Sequence, residues 1–399
     1  MPKVSIILTS YNHEKYIQEA INSVLSQTYE DFELIIWDDA SSDDSWRMIN
    51  RFKDGRIKAY QNEQNGYGTL NRALKIASGE YIAIHHSDDV WEPQKLEKQV
   101  AFLDAHHEIG AVFTNALAIT EEGHALADEK HSYFNIFDQP NRTRYEWLNF
   151  FFNHGNALCH PSVLIRKSCY DTVGVYEYGY AQLGDFNMWI RLCLKYEIFV
   201  LPDNLVRFRV LANEANASGN RPETRIRGGN EFYRILRHYL KITSYEEMVL
   251  IFPEAARYYR EDGFDAEFVL AMIALEKKPF PFTELFGIDL LFDIVSDPVR
   301  AEKIRTLYHF DRRAFLTLTK KHDGLSLERL FSSNQLLAER ESQISARDEQ
   351  IANLDQSYTE ALRTIEEIRK STSWRLTAPM RFVSSKLENL LSVLKLFQI

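Results

Sequence analysis

The sequence predicts an α/β protein whose mostly parallel, Rossmann-like sheet is followed by a helical domain, a coiled coil and an amphipathic C-terminal helix. In the first third of the 399 residues, short β-branched segments alternate with longer segments of helical period, as in a parallel sheet covered by helices. From about residue 223 the patterns are helical, and from residue 337 they repeat every seven residues. The length favours about two to three domains.

The strands are predicted from apolar, β-branched runs that are too short for helices. They fall at residues 4–8, 32–37, 57–60, 81–84 and 111–113. The helices are predicted from apolar residues on one face, such as Ile17, Ile21 and Leu25. They fall at residues 14–26, 44–52, 70–77 and 93–105, and Pro93 suits a first helical turn.

Composition excludes several classes of protein. The net charge of -10 and pI near 5.7 disfavour general nucleic-acid binding, because the chain repels phosphate backbones. A hydrophobic fraction of 45% excludes a wholly disordered chain. The cysteines, Cys159, Cys169 and Cys193, match neither a disulfide framework nor a zinc pattern and favour a reducing compartment.

Apolar runs in the sequence are short. The N-terminal run at residues 4–8 is shorter than a signal-peptide core. Other runs fall short of the roughly 20 apolar residues of a spanning helix. We therefore expect a cytoplasmic protein, with any membrane contact peripheral at the inner face of the plasma membrane.

Polar residues follow three of the predicted strands, at 9–12, 38–41 and 85–89. Ligands of parallel sheets bind beyond the carboxyl ends of the strands, so the three segments should line one crevice. A glycine-rich phosphate loop is missing from the sequence. A divalent cation between a carboxylate and a diphosphate is the alternative, and Asp88 and Asp89 have the composition for it. An aspartate pair at this place is also common in turns and helix caps.

Several segments carry a family resemblance: VSIILTSYN at 4–12, SVLSQTY at 23–29, FELIIWDDASSD at 32–43, ASGEYI at 77–82 and SDDVW at 87–91. Two more follow, GDFNMWIRL at 184–192 and RFRV at 207–210. Together they resemble the catalytic domain of glycosyltransferase family 2, especially in bacterial enzymes of spore-coat and surface-polysaccharide synthesis. The resemblance covers about half of the chain and implies the GT-A fold.

The resemblance also implies roles for individual residues. Thr9, Tyr11 and Asp39 would hold the uracil and ribose of a UDP-sugar, with Asp38 at the pocket edge and Ser87 beside the donor. Asp88 would bind Mn²⁺ or Mg²⁺, with His86 as a second ligand. Asp185 would be the general base that deprotonates the acceptor hydroxyl, and a single displacement would invert the anomeric configuration.

Two positions depart from the family pattern. His86 stands where the family usually has the first acid of its metal segment, so the cation would rest chiefly on Asp88. Leu211 stands where the family often has a histidine. The residues alone leave alternatives: Asp185 as a helix cap, and His154 and His160 as either acceptor-side or structural residues.

We expect four segments: a GT-A domain at 1–221, a helical domain at 222–331, a coiled coil at 332–370 and a basic amphipathic tail at 371–399. The coiled coil is predicted from the seven-residue spacing of Leu337, Ile344, Ile351, Tyr358 and Ile365, and a single solvated helix is the alternative. From Arg375 onward the tail has four basic residues and one acidic residue. It would contact an anionic membrane, or pack on the helical domain or a second protomer.

These expectations combine into one function. The chain would be an inverting, metal-dependent hexosyltransferase that moves a sugar from a UDP-sugar to a hydroxyl of a glycan or lipid-linked glycan, as in O-antigen or capsule synthesis. It would form a homo-oligomer through the coiled coil. The alternative from another class is a catalytically silent homologue that acts as an assembly scaffold. A nucleotidyltransferase is disfavoured because the Gly-rich basic loop is missing.

Overall fold

The computed structural model describes residues 1–66 and 68–396; the side chains of Trp374, Ala378 and residues 389–396 lie outside the description. The chain divides into two compact units, Met1–Leu325 and Ser326–Ile399. The first unit contains the sheet and most of the helices.

The sheet has eight strands in the described part of the chain. They are β1 (Val4–Ser10), β2 (Phe32–Asp38), β3 (Ile57–Gln61), β4 (Tyr81–His86), β5 (Val90–Trp91), β6 (Ile109–Ile119), β7 (Leu164–Arg166) and β8 (Glu197–Arg209). Their order is β3-β2-β1-β4-β7-β6-β8-β5. Only β7 and β5 run antiparallel to their neighbours, so the prediction of a mostly parallel sheet is confirmed.

Helices connect and cover the strands. In the first half of the chain they are α1 (Ile17–Leu25), α2 (Ser45–Ile49), α3 (Thr69–Ile76), α4 (Lys95–Ala105), α5 (Arg144–His154), α6 (Lys167–Val173) and α7 (Gly184–Cys193). The following helices of the first unit are α8 (Pro222–Leu236), α9 (Tyr245–Ile251), α10 (Ala266–Lys277), α11 (Pro281–Ser296), α12 (Pro298–Tyr308) and α13 (Arg312–Thr319). The predicted change to helices after about residue 223 is confirmed.

The sheet separates two hydrophobic cores. Side chains alternate between the faces of a strand, so Ile7 of β1 packs in one core while Ile6 and Leu8 pack in the other. The core that contains Ile7 continues through α7 into the helical region, where it includes Phe232 and Phe268. Sheet and helical region therefore share one core within Met1–Leu325. The boundary expected at 221/222 stays a prediction.

The second unit is helical. It contains α14 (Leu327–Lys370), α15 (Thr372–Leu376) and α16 (Ala378–Leu396). At about 1.5 Å per residue, the 44 residues of α14 extend over about 66 Å. The seven-residue seam expected to form a coiled coil is solvent-exposed in the single chain, as are Met380, Val383 and Leu387 of the tail. The tail residues Trp374, Leu390, Leu391 and Leu394 lie outside the described side chains. None of the described helices has the length and apolar character needed to cross a membrane.

Candidate active site

A cavity of about 1340 Å³ opens at the carboxyl ends of β1, β2 and β4. Parallel strands end at the same edge of a sheet, so residues far apart in sequence meet there. The cavity is lined by most of the site residues expected from the sequence: Thr9, Tyr11, Asp39, His86, Ser87, Asp88 and Asp185. Asp38 does not line it. Trp91 is buried in the second core, away from the cavity lining.

The loops after β1 and β2 are bonded to each other. The N–H of Asn12 donates to Ser41 Oγ at 2.9 Å, and the N–H of Ser42 donates to Asn12 Oδ1 at 2.8 Å. Ala40 has a φ of 60°, which is unfavourable for a residue with a Cβ. The buried Asp38 carboxylate supports this turn by accepting the Ser41 N–H at 2.9 Å. Asp38 therefore shapes the loop that presents Asp39.

Asp39 and Tyr11 face the cavity with different surroundings. The Asp39 carboxylate accepts hydrogen bonds from the Asn62 side-chain amide and from the N–H of Gly66. Tyr11 is 45% exposed and lines the cavity. A carboxylate and an exposed aromatic ring in one cavity suit a heterocyclic base, which can both stack and donate an N–H.

His86, Asp88 and Asp89 form a group that could hold a cation. One ligand atom from each lies within 4.8 Å of the others. Oδ2 of Asp89 is buried and has no hydrogen-bond partner among the described residues. Desolvation lowers the pKa of His86, which favours the neutral imidazole that ligates metals. Two carboxylates, one with an unpartnered oxygen, and a neutral imidazole fit Mn²⁺ or Mg²⁺.

Burial raises the pKa of Asp89 well above its ordinary value, and the neighbouring Asp88 charge adds to the effect. Two carboxylates this close disfavour the ionisation of both. A divalent cation would reverse that balance, because it stabilises the ionised forms.

Arg209, at the end of β8, holds the Asp88 segment in place. The side chain is 2% exposed. Its Nε donates to the main-chain oxygen of Asp88 at 2.8 Å, and its main-chain N–H donates to Asp89 Oδ1 at 2.8 Å. The guanidinium also donates to the Glu121 main-chain oxygen at 2.7 Å and pairs with Glu19 at 2.6 Å. Arg209 therefore acts as a positioning residue.

His86 continues into a chain of polar side chains. Its Nε2 lies 3.2 Å from Nδ1 of His160, whose Nε2 lies 2.9 Å from the Tyr176 hydroxyl. Burial lowers the pKa of His160 well below its ordinary value, and His86 lowers it further. His160 thus lines the cavity and contacts His86, and its role as an acceptor-side or a structural residue stays a prediction.

Asp185 lies in the first turn of α7 and faces the same cavity. Its Oδ2 accepts a hydrogen bond from the Asn156 side chain at 2.9 Å, and its Oδ1 accepts the N–H of Phe186 at 2.7 Å. Burial raises the pKa of Asp185 from 3.8 to about 6. A carboxylate with a pKa near 6 is ionised at neutral pH and is a stronger base than an ordinary aspartate.

The loop before Asp185 is held in place by α8, the first helix of the helical region. Glu231 of α8 is buried, and its carboxylate accepts hydrogen bonds from the backbone N–H groups of Ala181 at 2.9 Å and Leu183 at 2.6 Å. The N–H of Gln182 donates to both carboxylate oxygens. The helical region therefore sets the position of the segment that carries Asp185.

Some of these residues were outside the sequence-based prediction. No sequence motif marks Glu231, because it is one of many acidic residues in a helical pattern. Arg209 lay within a quoted segment, but its contact with Asp88 was not expected. Leu211, at the position where the family often has a histidine, also lines the cavity. The individual binding and catalytic roles of the site residues stay predictions.

Comparisons with known proteins agree with the fold. The family model for glycosyl transferase family 2 matches residues 5–169. The chain is 31% identical over 232 residues to the Escherichia coli UDP-Glc:alpha-D-GlcNAc-diphosphoundecaprenol beta-1,3-glucosyltransferase WfaP, covering 58% of this chain and 85% of that protein. It is 47% identical over 102 residues to the Escherichia coli protein WfgD, which is named for the same activity; the match covers 25% of this chain and 40% of WfgD.

Among solved structures, a crystal structure of S. aureus TarS 1-349 in complex with UDP-GlcNAc matches with a TM-score of 0.51 and 20% identity. The match covers 82% of this chain and 92% of that one, and it supports the GT-A fold. The expected resemblance and the main fold class are confirmed, while the coiled coil stays a prediction. The chain belongs to glycosyltransferase family 2.

Proposed function

We propose that this glycosyltransferase moves a sugar from a UDP-sugar to a hydroxyl of a lipid-diphosphate-linked glycan in surface-polysaccharide synthesis, with inversion. The observation that carries the proposal is the placement of Asp185, with its raised pKa, in the same cavity as Asp39 and Asp88. A candidate base, a candidate nucleotide contact and a candidate cation site thus lie in one cavity. A cavity of about 1340 Å³ has room for two substrates.

The donor assignment rests on Asp39 and Tyr11. The Asp39 carboxylate can accept the imide N–H of uracil, and the exposed Tyr11 ring can stack on the base. WfaP and WfgD are named as glucosyltransferases that use UDP-Glc, and TarS was solved in complex with UDP-GlcNAc. These names support a uridine nucleotide as the donor here.

The proposed metal site uses Asp88, Asp89 and His86. When bound, Mn²⁺ or Mg²⁺ supplies positive charge that stabilises the leaving diphosphate. Arg209 holds the main chain of this segment, and His160 orients His86.

In the proposed reaction, Asp185 accepts the proton of the acceptor hydroxyl. The acceptor oxygen then forms a bond to the anomeric carbon while the bond from that carbon to the UDP oxygen breaks. One displacement at the anomeric carbon inverts its configuration. Asn156 keeps one Asp185 oxygen in place, and burial makes the carboxylate basic enough for the transfer.

Calorimetry with UDP, ADP and GDP, each with and without Mn²⁺, tests the donor assignment. We expect UDP to bind most tightly and Mn²⁺ to strengthen its binding. The Asp39→Asn variant should bind UDP about tenfold more weakly, since a charged hydrogen-bond acceptor is lost. Tighter binding of ADP or GDP would contradict the base assignment. A hydrolysis screen of UDP-sugars would then identify the sugar.

We also propose that the second unit arranges the enzyme. A seven-residue seam buries its apolar residues only when a partner helix covers it, and a second copy of this chain supplies one. The basic residues of the tail would add attraction to an anionic membrane surface, where lipid-linked acceptors reside. This part of the proposal predicts a homo-oligomer at the inner face of the plasma membrane.

A further inference from the structure

One face of α8 lines the cavity without having a place in the proposed chemistry. The cavity-lining residues of this helix are Thr224, Arg225, Gly228 and Phe232. Residues spaced by about four positions share one face of a helix, so they form a stripe along the cavity wall. α8 lies outside residues 5–169, the part matched by the family model.

This stripe lies beside the segment that carries Asp185. Glu231, one turn after Gly228, binds the N–H groups of residues 181–183. A Cβ built at Gly228 would lie 3.9 Å from Gln182 Cγ. The space above Gly228 therefore adjoins the loop that leads into Asp185. Gly228 and Asp185 line the same cavity, so an acceptor bound along this face would lie in the cavity that holds Asp185.

Two consecutive glycines occupy the middle of α8. Glycine destabilises a helix interior relative to alanine, so a glycine there needs another reason. Gly229 faces Phe282, where a Cβ would make an ordinary contact at 3.8 Å. Gly228 faces the cavity, where a side chain would take up space. The two glycines are in the same helix, but Gly228 faces the cavity and Gly229 faces a protein side chain.

Arg225, one turn before Gly228, is exposed at this wall. It donates to the main-chain oxygen and the side-chain oxygen of Asn220, at 3.3 Å and 2.9 Å. Within the described part of the chain its guanidinium has no carboxylate partner in an ion pair. Among the described cavity-lining residues of α8, Arg225 is the one charged residue, so it is the group suited to bind a phosphate on this side of the cavity.

We propose that the Arg225 and Gly228 face of α8 is the acceptor subsite, in which Gly228 leaves room for the acceptor sugar and Arg225 binds the phosphate that links the sugar to its carrier. This inference rests on the proposed function and deepens it. It assigns the acceptor class, a sugar diphosphate, to residues outside the matched family segment.

The first experiment measures binding of two probes by calorimetry in the full chain: α-GlcNAc diphosphate on a short alkyl chain, and the same alkyl α-GlcNAc without the diphosphate. Arg225→Gln should weaken the diphosphate probe about tenfold and leave the neutral probe unchanged, since a charge-assisted contact is lost. The control is Arg227→Gln, on the same helix but off the cavity wall. It should bind both probes as the wild type does.

The second experiment compares Gly228→Ala with Gly229→Ala. Both variants should melt at or above the wild-type temperature, because alanine favours the helix and each Cβ has room. Only Gly228→Ala should raise the acceptor KM, about tenfold, since one added methyl in a fitted site has an effect of that order. The KM for the UDP-sugar should stay the same in both.

Three outcomes would overturn this subsite. The first is an equal acceptor KM for the two glycine variants. The second is a wild-type chain that binds the two probes equally or binds neither. The third is an Arg225→Gln variant that loses affinity for UDP instead, which would place Arg225 at the donor diphosphate. Failure of the proposed function is distinguishable: the wild type would then neither bind UDP nor transfer sugar, whatever the α8 variants do.

Discussion

Arg209 Nε donates to the main-chain oxygen of Asp88 at 2.8 Å, across 121 positions of sequence. Through this bond the last residue of β8 sets the conformation of the segment proposed to hold the cation. Arg209 also donates a part-buried hydrogen bond to the main-chain oxygen of Glu121. The end of the sheet domain thus controls a site formed near its start.

The first prediction concerns this contact. Arg209→Lys keeps the charge but loses the planar guanidinium, so it cannot make all of these hydrogen bonds. We expect Mn²⁺-dependent UDP binding to weaken about tenfold and the free energy of unfolding to fall by about 1–3 kcal/mol, because the part-buried oxygens of Asp88 and Glu121 lose their donor. Calorimetry and thermal melting measure the two effects.

Arg207→Lys is the control for Arg209→Lys. Arg207 is on the same strand and pairs with Glu92 at 2.6 Å, but it is 46% exposed. Exposed ion pairs contribute about 0–1 kcal/mol, so this variant should behave as the wild type. Equal UDP binding by the two variants would show that Arg209 does not position the Asp88 segment.

The second prediction concerns the histidine at the position of the family's first acid. His86→Asp adds a negative ligand beside Asp88 and Asp89 and should lower the Mn²⁺ concentration that gives half-maximal enhancement of UDP binding, because cation affinity follows ligand charge. Asp88→Asn should abolish the enhancement and leave metal-free UDP binding unchanged. Enhancement that persists in Asp88→Asn would remove the cation from this site.

The third prediction concerns Asp185. Since its pKa is raised to about 6, transfer should increase as pH rises through 6 and level off above it, because only the ionised carboxylate accepts the proton. Asp185→Asn should lower the transfer rate about 10²-fold or more with UDP binding unchanged.

The thermal stability of the protein tests the role of Asp185 independently of its activity. Its pKa in the folded chain is raised above the unfolded value, so its ionisation lowers stability as pH rises from about 4 to 6. At neutral pH, Asp185→Asn should therefore melt at or above the wild-type temperature. A helix cap would give the opposite result, with a lower melting temperature and normal transfer.

The fourth prediction concerns the second unit. A chain that ends at Leu325 retains the compact first unit and should keep donor hydrolysis. It should have a smaller oligomer mass by light scattering and should no longer sediment with anionic liposomes. An unchanged mass would exclude α14 as the assembly element. Liposome binding that persists after truncation would exclude the tail as the membrane contact.

Local patterns were enough for the first part of the fold. The predicted strand at 4–8 lies within Val4–Ser10, and the predicted helix at 93–105 contains Lys95–Ala105. Side-chain alternation and helical spacing are properties of neighbouring residues, so they can be read from a single sequence. The two-residue strand Val90–Trp91 and the three-residue strand Leu164–Arg166 were missed, because strands this short depend on their partners.

By itself, the sequence determined the strands and helices of the first part of the chain, the motifs at the strand ends and the family. Tertiary structure decided which of these residues act together. In the structure, Asp38 supports a turn, and Asp39 faces the cavity. The tertiary structure also brought Arg209 to Asp88, and Glu231 to the loop before Asp185. The last two contacts join residues 121 and 48 positions apart. Only the packing of sheet and helices around a shared core brings such residues within hydrogen-bonding distance.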